Sequence, residues 1–383
     1  MTEESDRPLI YQDFYWDLLP NLPKELIVSF LYTKHRAAVL MTSKSNKELV
    51  EKAQNNAHDL SFALKITHDL MWFDLLYYEE WRYEELGITG RLDGPRTEDS
   101  MAKVTVTTVR RIGPNPKIPI HHRERVQTSI EYEIKASEFE STAYSYLTAF
   151  IKMFSGGIRK VSFDNHQSEI PTCPIPPIRN CKDFLFAGTK YRHLVFWLNC
   201  LDPRCPPPNR VSCGQSEQPG MFERQIRLPP VMKQAPMILF ENGCIPRLVL
   251  LDNKSKMIWI KNSLVNPSTL NAVLRKWYRG GMPNLKLMRV KAKGADKMSQ
   301  ILRDIPSDKW SQKLLGPIDP EKYDTLQFSR YVSSGLKGCV RTIKNEDDTM
   351  TAGIILDNKM LHFMVVEERT VVDGEIQYTF NDE

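Results

Sequence analysis

Five of the seven cysteines lie in one proline-rich stretch near the middle of the chain, together with one histidine. The thiol and imidazole side chains there belong to Cys173, Cys181, His193, Cys200, Cys205 and Cys213. Such groups bind Zn²⁺, but structural zinc sites usually take their cysteines in short Cys-x₂₋₄-Cys pairs, and only Cys200 and Cys205 approach that spacing. The favoured interpretation is reduced thiols in a loop, with a zinc site as the alternative. We therefore expect neither a metal ion nor a cofactor.

The motifs of the commonest enzyme sites are missing from the sequence. It contains no Gly-x₄-Gly-Lys-Ser/Thr, Gly-x-Gly-x-x-Gly, Gly-x-Ser-x-Gly or His-Glu-x-x-His, the patterns of phosphate, dinucleotide, acyl-transfer and zinc-protease sites. His121 and His122 lie side by side in a polar, proline-flanked segment, but the sequence places no nucleophile beside them. The sequence thus predicts a protein that is not an enzyme.

Composition and charge narrow the class of protein further. The 383 residues predict about two or three folding units, and the hydrophobic (41 %) and charged (26 %) fractions are typical of globular chains. The net charge of +5 is small for non-specific nucleic-acid binding. Residues 275–279 mix basic and aromatic side chains, yet their helical spacing favours core packing over a nucleic-acid patch. We expect no nucleic-acid partner.

The cellular location is predicted from the chain start, the apolar runs and the cysteines. The N-terminus is acidic and lacks the apolar core of a secretory signal. The longest apolar stretches, such as Leu194–Leu201, are far shorter than the roughly 18 residues of a membrane-spanning helix. An odd number of cysteines, seven, favours reduced thiols. We expect a soluble protein of the cytoplasm, the nucleus or both, with no membrane partner.

Two segments share a strand–helix–strand pattern. In the first, an alternating strand at 130–134 precedes a helix that a capping box of Ser137 and Glu140 begins, and a second strand follows at 158–163. Short strand–helix–strand segments predict parallel βαβ units with adjacent strands. A repeated unit of this kind indicates an irregular αβ solenoid, similar in logic to leucine-rich repeats, although two βαβ units can also match by chance.

The second unit has the clearer helix. Strands at 257–261 and 285–290 flank a helix whose N-cap is Asn266 and whose first residue is Pro267, and Gly280–Gly281 terminates it. Apolar residues repeat at helical spacing through this helix, at Leu270, Val273, Leu274, Trp277 and Tyr278.

The other segments are assigned from their proline, aromatic and alternation patterns. Residues 202–236 are rich in proline and predict a loop or insertion, because proline removes a backbone donor. The aromatic run at 72–83 lies in a connecting segment, 58–112, and predicts either a packed helix or an exposed partner surface, with packing favoured. Alternation over 340–366 predicts antiparallel hairpins, with a third arm at 376–380.

A three-helix unit of about forty residues begins near Leu22. Pro23 starts an amphipathic helix, a second short helix follows at 35–41, and Ser45 with Glu48 forms a capping box for a third. This segment resembles the F-box, with Leu-Pro-x-Glu at 22–25 and Thr-Ser-Lys at 42–44, while Asn46 stands where the family often has tryptophan. The resemblance assigns partner-binding roles to Leu22, Pro23, Glu25, Leu26, Ile27, Phe30, Leu31, Leu40 and Ser43.

The C-terminal half is similar to the F-box-associated domain, type 2, of the expanded nematode F-box family. The similarity covers the strand around Trp259, the helix and glycine of the second unit and the closing segment 341–366. It implies a structural core that includes Trp259, Leu270, Leu274, Trp277, Gly280 and Leu285.

Together these patterns predict an α+β protein: a small N-terminal three-helix F-box, then an irregular αβ domain like leucine-rich repeats, with C-terminal β-hairpins. The expected divisions are 18–57 (F-box), 58–112 (aromatic-rich connection), 120–201 (first αβ unit), 202–236 (proline-rich loop) and 237–383 (F-box-associated domain). The resemblance implies a non-catalytic adaptor of an SCF-type ubiquitin ligase, which binds a Skp-type adaptor, and through it a cullin, as well as a protein substrate. A scaffold with a lapsed F-box is the alternative, and an enzyme or zinc protein with an unfamiliar site is less favoured.

Overall fold

The structure is a computed structural model that describes Glu48 and most of residues 56–309 and 340–379. Within those two ranges the undescribed positions are 67–69, 80–83, 94–96, 98–99, 113–123, 166–169, 172–173, 189, 215–227, 244, 246, 264, 292–296, 358 and 373–374. The predicted F-box therefore lies outside the described residues, except for Glu48, which is helical and exposed, and the last two residues, which begin the first strand.

The described residues form sixteen strands of one sheet and six α-helices. The strands are β1 (Asn56–Ile66), β2 (Leu70–Glu79), β3 (Glu84–Asp93), β4 (Met101–Ile112), β5 (Glu124–Lys135), β6 (Gly157–Asn165), β7 (Asp183–Gly188), β8 (Arg210–Gly214), β9 (Met237–Gly243), β10 (Met257–Ser263), β11 (Leu287–Lys291), β12 (Asp308–Lys309), β13 (Val340–Lys344), β14 (Met350–Asp357), β15 (Met360–Val372) and β16 (Glu375–Thr379). The helices are α1 (Phe139–Met153), α2 (Tyr191–Asn199), α3 (Pro230–Gln234), α4 (Arg247–Leu251), α5 (Pro267–Tyr278) and α6 (Met298–Ile301). In this part of the chain no helix combines the length and hydropathy needed to cross a membrane.

The sheet is mixed, with a parallel centre between two antiparallel wings. Strands β6 to β11 are parallel and follow one another in sequence order, and β1 pairs in parallel with β6. Strands β1 to β5 form one antiparallel wing, and β15, β14, β13 and β12 form the other beyond β11. The sheet therefore runs without a break across the expected divisions of the chain.

The helices cover one face of this sheet. Because each parallel strand is followed by its next neighbour in the same direction, right-handed crossovers place all the connecting helices on the same side. Aromatic contacts mark that face: Phe163 of β6 stacks on Trp197 of α2 at 3.9 Å between ring centroids, and Phe363 of β15 meets Trp277 of α5 edge-on at 5.0 Å. The main core lies between the helices and this face.

The predicted second unit is confirmed in its helix and in its parallel strands. Asn266 Oδ1 accepts the N–H of Thr269 at 2.9 Å, and Pro267 occupies the first turn of α5. Strands β10 and β11 on either side are parallel neighbours. The turn after α5 uses Gly280 at φ +73°, a left-handed conformation that side chains disfavour.

The first predicted unit is wrong in its pairing. Strand β5 lies at the edge of the sheet and β6 pairs with β1, so four strands separate the two. Helix α1 carries the chain back across the wing, with Phe139 packed edge-on against Phe73 of β2 at 5.1 Å. The sequence pattern could not reveal this because the strands that intervene come from residues 56–112.

The predicted capping box at the start of α1 is also wrong. Residues Ala136–Glu138 form a 3-10 turn, α1 begins at Phe139, and no side chain caps either start. Instead Ser141 Oγ donates to the Glu138 carbonyl at 2.9 Å. After α1 the chain turns at Gly157, with φ +134°, where an added Cβ would lie 2.8 Å from the Arg179 carbonyl oxygen.

The aromatic-rich segment 58–112 consists largely of strands, and the favoured prediction of a packed helix is wrong. In β2 the alternate residues Met71, Phe73, Leu75 and Tyr77 are at most 1 % exposed, whereas Leu76 between them is 39 % exposed. A period of two is typical of a strand with one buried face.

The proline-rich segment contributes a strand to the middle of the sheet. Strand β8 lies between β7 and β9, so the loop predicted for 202–236 is wrong at 210–214, and also at 230–234, where α3 begins with proline. Residues 215–227 of this predicted loop lie outside the described part. The prolines stand beside these elements and not inside them, where a missing backbone donor does little harm.

The C-terminal hairpins are confirmed. Strands β13, β14 and β15 pair antiparallel, and β16 adds a further arm to β15. The first turn is closed by Asn345, whose Oδ1 accepts the N–H of Met350 at 2.7 Å. Asp348 in the same turn has φ +52°, which aspartate tolerates better than most residues.

Candidate binding face

The face of the parallel strands that points away from the helices carries polar and partly exposed side chains, and we call it the open face. Side chains alternate across a strand, so the residues between the core positions form rows across the sheet. The middle row follows the strand register through Ser162, Leu185, Ser212, Leu239, Trp259, Arg289 and His362.

One part of the open face is a ladder of alternating charges. Asp59, Lys160, Asp183 and Arg210 stand in direct register across β1, β6, β7 and β8. Lys160 Nζ lies 3.2 Å from Asp59 Oδ2, and Arg210 Nε lies 3.1 Å from Asp183 Oδ1. Cross-strand pairs of opposite charge stabilise a sheet modestly. This charge ladder has no net charge of its own.

A second part of the open face surrounds Trp259, and we call it the Trp259 patch: Trp259, Lys261, Arg289 and Glu241. The Lys261 Nζ lies 5.3 Å and the Arg289 Cζ 5.1 Å from the Trp259 ring centroid, both within cation–π range. Lys261 also pairs with Glu241 at 3.1 Å. Two cations and one carboxylate leave this patch with a net charge of +1.

Arg289 differs from Lys261 because it lacks a carboxylate partner in the described part of the chain. Its Nε is buried and makes no hydrogen bond to a described residue. Buried donors without acceptors are rare in native proteins and cost about 1–3 kcal/mol. The Nε itself is not reached from solvent, but the side chain is partly exposed, so the charge of the guanidinium can still be paired by an acceptor from outside.

His362 lies opposite Arg289 on β15 and does not add to this positive charge at neutral pH. Its side chain is 3 % exposed. Burial, together with the neighbouring charge of Arg289, lowers the pKa of His362 to about 4. The imidazole is therefore neutral above about pH 5, and the charge of the patch stays constant through the physiological range.

Apolar side chains frame the patch on the side of the charge ladder. Leu185, Met237 and Met257 are partly exposed, and Leu239 is 8 % exposed. An arginine stacked on tryptophan, with methionine and leucine beside it, is a composition typical of protein interfaces. The arrangement is suited to binding a partner, and among the described residues of the patch no nucleophile lies beside a general base.

A second concave site lies at the amino ends of β7, β8 and β9. It is a cleft of about 480 Å³, lined by Pro203, Pro206, Pro207, Pro208 and Pro230, by Cys181 and Cys205, and by Asp202, among others. Ligands of open parallel sheets usually bind at the opposite, carboxyl ends of the strands. The cleft does not have the position expected for a cofactor site.

The one acid in this cleft is already engaged. Asp202 accepts hydrogen bonds from Arg204 at 2.9 Å and 2.8 Å and from Arg179 at 3.1 Å. Hydrogen bonds from Arg204 hold the pKa of Asp202 well below its usual range. The carboxylate is thus held charged by structural partners and is a poor general acid or base near neutral pH.

The cysteines and histidine of the metal alternative do not form a shared site among the described residues. No group of three or more metal-binding side chains occurs in this part of the chain, and Cys173 lies outside it. Burial raises the pKa of Cys181 to about 12, which keeps its thiol protonated at neutral pH. Burial also raises the pKa of Cys213. A protonated thiol is a poor metal ligand.

The segment 275–279 does not present its tryptophan to a nucleic acid. Trp277 is fully buried against Phe363, so its ring is not free to stack on a base. Lys276 Nζ donates to the Leu251 carbonyl at 2.5 Å, and Arg275 lies 3.7 Å from Asp304. The basic residues serve contacts within the αβ domain.

The predicted site residues fall into three groups: the F-box positions, the core positions that are buried or form a turn, and Trp259. The F-box positions Leu22, Pro23, Glu25, Leu26, Ile27, Phe30, Leu31, Leu40 and Ser43 lie outside the described residues. Leu270, Leu274, Trp277 and Leu285 are buried, at 0–1 % exposure, and Gly280 forms the turn after α5.

Trp259, predicted as core, lies instead on the open face, partly exposed. Its neighbours Ile258 and Ile260 are the buried residues of β10. The alternation of apolar Ile258 and Ile260 with Trp259 and Lys261 is the sequence signal that could have placed Trp259 on the open face. No sequence pattern indicates Arg289 as a site residue, because its place beside Trp259 depends on strand pairing.

Comparisons of the chain with protein-family models, with curated proteins and with solved structures find no match.

Proposed function

We propose that this protein is a non-catalytic substrate-recognition adaptor of an SCF-type cullin-RING ubiquitin ligase. The F-box at 18–57 binds the Skp-type adaptor, and the αβ domain binds a target protein. The finer description of the fold, an F-box joined to a domain like leucine-rich repeats, is part of this proposal.

The observation that carries the proposal is the open face of the sheet. Helices α1 to α5 cover one face, while the other presents the charge ladder and the Trp259 patch across adjacent parallel strands. A broad, rigid face built from successive strand–helix units is the kind of surface that repeat proteins use for binding. The Leu-Pro-x-Glu pattern at 22–25, which resembles the start of an F-box, supports the assignment to a ubiquitin ligase.

The experiment is retention of a purified Skp-type adaptor by the full chain. The double variant Leu22→Ala with Pro23→Ala should abolish retention, because apolar anchors at the centre of an interface typically contribute about 2 kcal/mol or more each. The far-UV circular dichroism of the αβ domain should not change. Lys24→Ala with Ser29→Ala, on the polar side of the same predicted helix, is the matched control and should leave retention intact.

The outcomes separate the two leading functions. If the unmutated chain fails to retain the adaptor at micromolar concentrations, the ligase role is wrong, and a scaffold with a lapsed F-box replaces it. The presence of Asn46 at the frequent tryptophan position favours that second function. If both double variants lose the adaptor equally, the predicted apolar face of the helix is wrong.

A further inference from the structure

The geometry points to the Trp259 patch as the docking site for an acidic segment of a protein partner, in which a carboxylate lies next to an apolar side chain. This inference rests on the proposed function only in assigning target binding to the αβ domain. It adds which surface binds and what chemistry the target must offer.

Charge distinguishes this patch from the rest of the open face. The ladder of Asp59, Lys160, Asp183 and Arg210 pairs its own charges within 3.2 Å. The Trp259 patch carries two cations, Lys261 and Arg289, against the single carboxylate of Glu241, which is already paired with Lys261. A partner segment with negative charge is therefore attracted to the patch and has no such attraction to the ladder.

Arg289 is prepared to bind a carboxylate. Its guanidinium lies 5.1 Å from the ring centroid of Trp259, which restricts the side chain before a ligand arrives. It is partly buried and lacks a carboxylate among the described residues. The planar guanidinium fork matches a carboxylate in bidentate geometry, and partial burial reduces screening of the pair by salt. One external carboxylate would thus pair a charge that no described carboxylate neutralises.

The apolar frame favours a peptide over a nucleic acid. Met237 and Met257 are partly exposed beside Trp259, and they offer contact to an aliphatic or aromatic side chain. Nucleic-acid grooves combine a track of several cations with successive stacking rings. Here one ring is already covered by two cations, and a neutral ladder adjoins it.

The test is a selection in which random dodecapeptides displayed on phage are bound to the immobilised full chain and the retained phage are sequenced. We expect enrichment of Asp or Glu next to Leu, Phe or Trp. The best peptide, made with a fluorescent label, is titrated against the chain by anisotropy. Arg289→Gln should weaken its binding about tenfold or more, as loss of a charged hydrogen-bonded pair does. Arg91→Gln is the matched control, since Arg91 is exposed on the same face in β3, and should change binding less than about twofold.

The peptide itself provides a second variant that does not depend on the folding of Arg289→Gln. Replacing its Asp and Glu by Asn and Gln should weaken binding to the unmutated chain by a similar factor. Selection without acidic enrichment would overturn the inference, and so would equal effects of the two arginine variants. A single-stranded RNA dodecamer that binds more tightly than the peptide, and loses binding in Arg289→Gln, would replace the acidic segment with a nucleic acid.

Adaptor retention, measured in parallel, separates this inference from the proposed function. Arg289→Gln should retain the Skp-type adaptor fully, whereas Leu22→Ala with Pro23→Ala should still bind the acidic peptide. Loss of peptide selectivity with intact adaptor retention would reject the Trp259 patch alone. Peptide binding without adaptor retention would reject the ligase role and leave the docking surface in place.

Discussion

Two tryptophans that look alike in sequence should differ sharply in their contribution to stability. Trp277 is 0 % exposed and packs edge-on against Phe363 in the core between α5 and β15. Trp259 lies partly exposed on the opposite face, against Lys261 and Arg289. Replacing each with alanine compares a core site with a surface site in the same αβ unit.

The expected magnitudes follow from burial. An aromatic side chain buries roughly 150–250 Å², and at about 25 cal/mol per Å² this corresponds to about 4–6 kcal/mol. Alanine keeps the Cβ, so Trp277→Ala should lower the free energy of unfolding by about 3–5 kcal/mol, in the usual range for such truncations. Trp259→Ala should cost about 1–2 kcal/mol, because solvent can enter the space and no enclosed cavity remains.

The assay is urea unfolding of the full chain at neutral pH, followed by far-UV circular dichroism. Arg275→Ala serves as a control, since its contact with Asp304 is partly exposed and should contribute within about 0.5 kcal/mol. A cycle that adds Phe363→Ala should show a coupling to Trp277 of about 0.5–1.5 kcal/mol. If Trp259→Ala destabilises the chain as much as Trp277→Ala, the assignment of the two faces is wrong.

Three further measurements probe the turn after α1, the thiols and the cleft acid. Gly157→Ala should cost more than about 1 kcal/mol in urea unfolding, because its φ of +134° and the nearby backbone exclude a Cβ. Gly87→Ala, whose nearest neighbour is a leucine methyl at 3.4 Å, should stay within about 0.5 kcal/mol, and equal costs would contradict the backbone argument. In iodoacetamide labelling at neutral pH, read by mass spectrometry, Cys205 should react before Cys181, since burial raises the pKa of Cys181 to about 12; the reverse order would refute this burial. Because the pKa of Asp202 is lowered on folding, its stabilising effect is fully present above the ordinary aspartate pKa and is lost as pH falls through the folded value. Asp202→Asn should therefore lower the melting temperature at pH 7, and this difference should shrink progressively as pH falls below about 4. A difference that does not change with pH would show that the arginine contacts do not stabilise the charged form.

The signals that predicted the second αβ unit were local. Asn266 caps its helix through a hydrogen bond to a residue three positions on, and the buried stripe from Leu270 to Trp277 repeats at helical spacing. Both features depend on residues within one or two turns of each other, which a sequence displays directly. The hairpin turn at Asn345 is local in the same sense.

The errors came from partners distant in the chain. The strand that β6 pairs with is β1, about a hundred residues earlier, as the register of Asp59 with Lys160 shows. The proline-rich segment looked like a loop, yet β8 fills the gap between β7 and β9. Which strands become neighbours is decided by burial of the whole sheet face, and no pattern within a short stretch of sequence indicates it.

The sequence by itself determined only part of the local structure: where α5 starts and stops, the hairpins after residue 340, and which motifs are missing. Only the tertiary structure decided the order of the strands, and with it the neighbours of each side chain. Trp259 and Arg289 lie thirty residues apart in the chain and become contacts because β10 and β11 pair in register. Alternation along a strand follows from backbone geometry, whereas the partner strand is chosen by non-local packing.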